Sequence, residues 1–411
     1  MKRVVVTGLG AISPIGNDVD SFWNNAIAGK NGIDFLTRFD TSEHKVKIGA
    51  EVKDFDAQMY MDRNEVRKSD LYTQFAIVAA SQAMEDSALA GQIDPFRLGV
   101  YMGSGTGGLM TLSSEMEKLL SVGPKRISPH FIPMMIANMG AGSIAIRFGA
   151  KGPCIPIVTA CATGTNAIGE AYRAIQYGYA DAIIAGGSEA AITSIGMAGF
   201  TNSLALTTTE DINAASIPFD KRRSGFVMGE GAGALILEEY EHAKQRGAKM
   251  YAEVCGYGAT CDAYHITAPD PDATGAVRAI AQAYEETGKN ADPKKVYVNA
   301  HGTSTPLNDK TETLALKKVF GDQANTIHIS STKSMTGHML GAAGAVEAIA
   351  AVLAIQHSIV PPTINLRERD PECDLNYTPN TAWRGEVDLA LSISLGFGGH
   401  NACVAFQKTE G

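Results

Sequence analysis

Short runs of apolar and β-branched residues alternate along the chain with alanine-rich stretches whose apolar positions recur every three or four residues. Strands are expected over Arg3–Thr7, Leu98–Met102, Ile155–Thr159, Ala182–Ala185, Ala234–Glu239, Lys295–Val298, Ile327–Ser330 and Leu389–Ser394. Helices are expected over Leu71–Ser87, Ala162–Tyr177, Ala273–Thr287, Asp309–Phe320 and Met339–His357. Strands interleaved with helices argue for α/β layers. The strands are apolar on both faces, as in sheets covered on both sides. No repeat with a period of roughly 20–50 residues is visible.

Composition narrows the class. The 411 residues are 45% hydrophobic and 19% charged, enough for a sizeable core and two lobes of similar size. The charged helix and turn around Glu238–Glu253 is the nearest thing to a boundary, so halves of 1–250 and 251–411 are expected. The formal charge of −9 argues against wholesale binding to nucleic-acid phosphates. Small basic clusters could still hold an acidic partner. The six cysteines include no C-x-x-C pair, so zinc-ribbon and thioredoxin frameworks have no support. Few cysteines in a long chain fit a reducing compartment. The N-terminal apolar run is short and broken by Thr7, Gly8 and Gly10, so it reads as a strand rather than a signal peptide. The apolar stretch Met339–Gln356 contains Glu347 and is mostly alanine, which reads as a buried helix rather than a membrane span. A cytoplasmic protein is expected.

"TGLGAISPIG" follows the first strand like a nucleotide-binding loop, but Ser13 stands where the third glycine should be, and no acidic residue ends a second strand at the right distance. A tight turn at the strand end is preferred.

The chemistry centres on Cys161 in "IPIVTACATGTNAIG". A lone cysteine is ordinarily a small core hydrophobe. This one falls where a strand ends and a helix begins, where unpaired N–H groups and the helix dipole lower a thiol's pKa and can stabilise an oxyanion. His301 in "NAHGTSTPLND" and His338 in "STKSMTGHMLGAAGAVE" also follow strands. A histidine at a helix N-terminus is biased towards the neutral form. Each could instead cap a helix or fill a polar gap. Three such groups at strand ends argue for one site more strongly than any one alone. Lys333 shares the loop of His338. Glu347 is either a buried partner for it or part of an exposed face. "LGFGGHN" around Phe397 reads as a hairpin turn, whose glycines could also aim an N–H into a site while the phenyl ring acts as a gate.

Together, "TACATG", "NAHGTSTPLND", "STKSMTGHMLGAAGAVE" and "GFGG" resemble, in this combination and order, the condensing enzymes of the thiolase superfamily. The resemblance spans essentially the whole chain and is nearest to the synthase II group of β-ketoacyl-[acyl-carrier-protein] synthases of fatty-acid elongation. It implies a thiolase fold, with duplicated halves in a five-layered α-β-α-β-α sandwich, and a homodimer. It implies a Cys161–His301–His338 triad, with the family's lysine at Lys333, its glutamate at Glu347 and its gating phenylalanine at Phe397. Thr303 and Thr305 would contact pantetheine, with Phe200 and Thr267 also binding substrate. Thr106 stands where many elongation synthases carry a larger apolar gate to the acyl pocket. Acyl carrier protein is the implied partner, docking on Arg63, Arg67 and Lys68 and on Lys125 and Arg126. No metal or redox cofactor is implied, since decarboxylation drives the reaction. Ile393 and His400 replace residues common in relatives and weaken the case for a monovalent-cation site.

A polyketide ketosynthase would share this chemistry. A thiolase would need a second catalytic cysteine near Phe397 and His400. A non-catalytic chain-length factor should lack the cysteine, and a cysteine hydrolase needs only one histidine.

Overall fold

The computed structural model describes residues 1–409. Nine strands form its main sheet: β1 (Val4–Ile12), β2 (Leu98–Gly103), β3 (Ala182–Glu189), β4 (Gly231–Glu239), β5 (Ala252–Cys261), β6 (Val296–Asn299), β7 (His328–Ser330), β8 (Leu389–Gly396) and β9 (His400–Gln407). Their spatial order is β2-β3-β4-β1-β5-β9-β8-β6-β7. β1 and β5 join the two wings through only a short antiparallel pairing, Val4–Val6 against Ala252–Val254.

Outward from that seam, the two wings repeat one pattern. β1 pairs antiparallel with β4, β4 antiparallel with β3, and β3 parallel with β2. β5 pairs antiparallel with β9, β9 antiparallel with β8, and β8 parallel with β6. Beyond β2, a parallel bridge at Cys154 stands where β7 pairs with β6. The duplication lies in strand order and direction, so it leaves no periodic trace in the sequence.

Five helices matter for the site: α1 (Leu71–Ser87), α2 (Thr163–Gln176), α3 (Thr274–Glu286), α4 (Pro306–Phe320) and α5 (Ala343–His357). α2 and α5 lie between the wings and touch strands of both. α1 covers the outside of the first wing, and α3 the outside of the second with α4 packed on it. The result is five layers. Every residue of α5 from Ala343 to Ile355 is buried, as expected of a helix apolar all round. The segment Leu340–His357 has the length and apolarity of a membrane span, yet 89% of it is buried inside the protein.

The expected elements are largely present, with instructive differences. β1 continues five residues past Thr7, so Gly8 and Gly10 lie within a strand rather than in a turn. A Cβ on Gly10 would sit 1.9 Å from the Ala79 carbonyl oxygen, so these glycines let α1 lie directly on the sheet. Ile155–Thr159 is not a strand: only Cys154 bridges to Val100, and Ile155 and Val158 are exposed. β5 and β9 are strands that the apolar pattern does not reveal, because Gly256, Gly258 and the polar "HNAC" break it. Gly256 and Gly258 again allow a helix, here α3, to approach the sheet closely.

α2 and α5 cross near their N-termini with no room for side chains. A Cβ on Gly164 would lie 2.6 Å from the Ala345 nitrogen, and one on Gly344 would lie 2.7 Å from the Thr165 nitrogen. Gly164→Ala should therefore lower stability by about 1–3 kcal/mol, the usual penalty for overpacking. Gly199→Ala, on an exposed helical position with open space around it, should be neutral or slightly stabilising. Urea midpoints followed by circular dichroism test the contrast, and equal midpoints would contradict the crossing geometry.

Candidate active site

Cys161 sits in a single 3-10 turn, Ala160–Ala162, that runs directly into α2. The turn is entered through Ala160 with φ of 50°, a left-handed conformation that an L-residue adopts only under constraint. Thr159 holds it in place. Its N–H donates to Thr163 Oγ1 (2.9 Å) and its hydroxyl to Asn166 Oδ1 (2.7 Å). Asn166 in turn donates to the Tyr257 hydroxyl on β5.

The thiol is buried, and burial decides its acidity. The N–H groups of Phe397 and Cys161 and the charge of Lys333 favour the thiolate, but desolvation outweighs them and pushes the pKa up to about 11. Burial thus works against the lowering expected at a helix N-terminus. At neutral pH the group rests as a thiol, so its attack on a substrate requires a proton acceptor.

His301 follows β6 in a loop clamped by a carboxylate. Its backbone N–H donates to Glu312 Oε1 (2.6 Å), and that of Gly302 donates to Oε2 (2.8 Å). Burial, partly offset by these N–H groups, pushes Glu312 up to about 7. Lys333 Nζ lies 3.3 Å from His301 Nδ1. An ammonium has only protons to offer, so Nδ1 accepts and the ring proton resides on Nε2. His338 is held by its own N–H to the Val227 carbonyl (2.7 Å) and by Phe226, whose ring meets it edge-on with centroids 5.2 Å apart. The two imidazoles stand 5.2 Å apart at 88°. Burial, then the Lys333 charge, holds both well below the usual histidine pKa, so both are neutral.

Lys333 lies in a short helix, Lys333–Thr336, rather than an open loop. Its ammonium is ion-paired with Glu347 Oε1, both side chains being 1% exposed. That resolves the choice the sequence left for Glu347. Deleting either partner leaves an uncompensated buried charge, a loss of about 3–5 kcal/mol.

Cys161, His301, His338, Phe397, Thr303, Thr305, Phe200 and Thr267 all line one cavity of about 290 Å³. Phe397 sits in the β8–β9 hairpin, where Gly398 and Gly399 have φ of 86° and 76°. The expected hairpin turn is thus present and also faces the cavity. Thr303 and Thr305 share a hydrogen bond of 2.9 Å between their hydroxyls. Thr106 does not line this cavity: it is exposed, and its hydroxyl donates to Glu189 (2.7 Å). Arg63, Arg67, Lys68, Lys125 and Arg126 are exposed and make no ion pair among the described residues. No cluster of three or more His, Cys, Asp or Glu suited to a metal occurs among the described residues.

Sequence reasoning missed Phe226 and Glu312. Glu312 carries a faint signal: it follows Asn308 and Asp309 at helical spacing on the helix after the His301 loop, and all three are buried.

The raised thiol pKa has a direct consequence. Alkylation of Cys161 by iodoacetamide, read on its own peptide by mass spectrometry, should rise about tenfold per pH unit from pH 7 to 9. A plateau within that range would contradict the dominance of burial.

Known proteins place this geometry in context. Residues 1–243 match the family model "Beta-ketoacyl synthase, N-terminal domain", and residues 251–367 match "Beta-ketoacyl synthase, C-terminal domain". The chain is 55% identical over 412 residues to 3-oxoacyl-[acyl-carrier-protein] synthase 2 of Synechocystis sp., covering 100% of this chain and 99% of that protein. It is 52% identical over 411 residues to the protein of the same name from Staphylococcus aureus strain COL, with the same coverage. Among solved structures, a β-ketoacyl synthase from Burkholderia phymatum superposes with a TM-score of 0.92 at 33% identity, over 100% of both chains. A type II polyketide-synthase ketosynthase in complex with its acyl-carrier protein superposes at 0.89 and 37%, again over 100% of both. Matched in order by both domain models and more than half identical to full-length relatives, the chain belongs to the β-ketoacyl synthase family.

Proposed function

We propose that the protein condenses malonyl-[acyl-carrier-protein] with an acyl group held on Cys161, giving β-ketoacyl-[acyl-carrier-protein] and CO2 in fatty-acid elongation. The observation that carries this reading is the convergence of Cys161, two neutral imidazoles and the Phe397 N–H on one cavity.

The acyl carrier's pantetheine arm enters past Thr303 and Thr305. Cys161 gives up its proton to a neutral imidazole and attacks the thioester carbonyl, whose oxyanion meets the N–H groups of Cys161 and Phe397. The carrier thiol departs with a proton, leaving acyl-Cys161. Malonyl-carrier protein then enters and its C–C bond to the carboxylate breaks. CO2 leaves, and the electron pair forms an enolate. His301, holding its proton on Nε2, and His338 donate to the enolate oxygen; the Lys333 charge beside His301 Nδ1 steadies that tautomer. The enolate carbon attacks the acyl carbonyl, and Cys161 leaves as a thiolate and is reprotonated.

Each half of the chain supplies part of the site. Residues 1–250 carry the nucleophile, and residues 251–411 carry both histidines. The exposed cations Arg63, Arg67, Lys68, Lys125 and Arg126 form the docking surface for an acidic carrier protein, local positive patches on an enzyme of net charge −9. A homodimer fits the exposed apolar side chains Ile155 and Val158 on the 155–159 segment, which lies outside any strand. A cytoplasmic setting fits the burial within the core of the span-like helix Leu340–His357. The polyketide reading shares every step. Elongation is preferred because the relatives bearing that name are 52–55% identical, against 37% for the polyketide ketosynthase.

Cys161→Ala should abolish condensation in an assay with purified carrier protein and acyl primers; retained product would sink the assignment. His301→Ala and His338→Ala should each suppress CO2 release from malonyl-carrier protein, and an intact half-reaction in both would remove the enolate role. Charge reversal at Arg63, Arg67 and Lys68 should raise KM for carrier-bound substrate, with the effect fading as salt screens the patch. An unchanged KM at low salt would place docking elsewhere.

A further inference from the structure

The turn that presents Cys161 has a structural twin. In the second wing, Leu340–Ala342 forms the same 3-10 turn running into α5. It too is entered through a left-handed residue, Leu340 with φ of 46° against 50° for Ala160. Gly341 occupies the place of Cys161. The strand ends correspond as well: Glu189 is the last residue of β3 as Gly396 is of β8, each on the final rung of its antiparallel pair.

At the first turn the backbone N–H of Cys161 faces the cavity. At the second, the equivalent N–H of Gly341 donates to Glu189 Oε2 (3.0 Å). The same oxygen accepts from Gly105 N–H (2.9 Å). The other oxygen accepts from Thr106 N–H (3.1 Å), Thr106 Oγ1 (2.7 Å) and Ser104 Oγ (3.0 Å). Five donors thus surround a fully buried carboxylate with no basic side chain among them. The fit is close: a Cβ on Gly105 would lie 2.7 Å from Oε2, and one on Gly341 would lie 2.9 Å from it. Three backbone N–H groups and two hydroxyls thus form an anion cradle of the kind an oxyanion would otherwise occupy, and the Glu189 carboxylate fills it.

We propose that Glu189 is a positioning residue for the condensation: its carboxylate fills the anion cradle of the second turn and thereby sets where α5 begins relative to the Cys161 turn. His338 stands three residues ahead of Gly341, so the same anchor governs the approach of His338 to the thioester. The anchor also reaches the Cys161 side. Gly105 lies against the Ala160 carbonyl, and Gly187 of β3 is wedged between Gly164 and Gly341. Without the carboxylate, the buried N–H groups of Gly341 and Gly105 lose their acceptor and the two turns are free to shift. The role rests on Cys161 and His338 acting as proposed above.

Glu189→Gln keeps the shape but turns an amide NH2 towards donors. It should lower kcat for condensation on the order of 10²-fold, the cost of misplacing a reacting group by about 1 Å, with KM for both carrier thioesters little changed. Glu189→Ala should lose at least as much and regain activity with added formate, which can enter the vacated cradle, but not with chloride at equal ionic strength. A merely structural side chain would show no such anion-specific rescue. Wild-type kcat in a folded Glu189→Gln variant, or a folded but impaired Glu189→Ala variant indifferent to formate, would overturn the proposal. If Glu189→Ala does not fold, Glu189→Gln decides alone. Wild-type protein assayed alongside separates the two readings, because its failure to condense would overturn the proposed function rather than the role of Glu189.

Discussion

Everything in this molecule depends on two helices crossing backbone to backbone between the wings of the sheet. α2 and α5 meet at Gly164 and Gly344, where neither side has room for a Cβ. That contact brings both helix starts to the centre of the protein. It places the Cys161 turn beside the Leu340–Ala342 turn, with β3 and β8 ending against them. The site is therefore built at the duplication's own axis, and each half contributes a turn and a strand end.

Burial at that axis sets the electrostatics. Desolvation raises the Cys161 thiol and lowers both histidines, so the reacting groups themselves are neutral and the buried charges lie around them, on Lys333, Glu347 and Glu189. The ion pair keeps a positive charge near His301 without leaving it unbalanced in the core. Neutral His301, whose Nδ1 already accepts from Lys333, can donate from Nε2, and neutral His338 keeps one nitrogen able to accept a proton, a capacity an imidazolium lacks. The same low-dielectric setting strengthens the N–H groups that face the thiol. Duplication then permits divergence. One turn lines the cavity, and the other is filled by the protein's own Glu189.

Much of this was legible in the chain. The bounds of α1 follow directly from the sequence and those of α2, α3 and α5 to within a few residues, because α2 and α3 carry a clear apolar stripe and α1 and α5 are long alanine-rich runs. Cys161, His301, His338 and Phe397 stand out in the sequence because each falls at a junction between elements, with small or hydroxyl residues around it. Strands β5 and β9 escaped notice because glycines that admit a helix onto the sheet read, in one dimension, as breaks. Ile155–Thr159 went the other way. Its apolar pattern is that of a strand, but pairing is a property of neighbours, and the segment has only the Cys154 bridge.

The sequence by itself determined the layered α/β class, and it marked out Cys161, His301, His338 and Phe397 as the residues to look for at one site. Those are local properties, carried by periodicity, residue type and side-chain size. Only the tertiary structure decided the thiol's acidity, the partner of Glu347, the clamp of Glu312 on the His301 loop and the twin turn held by Glu189. These depend on desolvation and on hydrogen bonds between segments far apart in the chain, 152 residues for Gly341 and Glu189. Distance in space and exclusion of water are quantities a linear pattern does not contain.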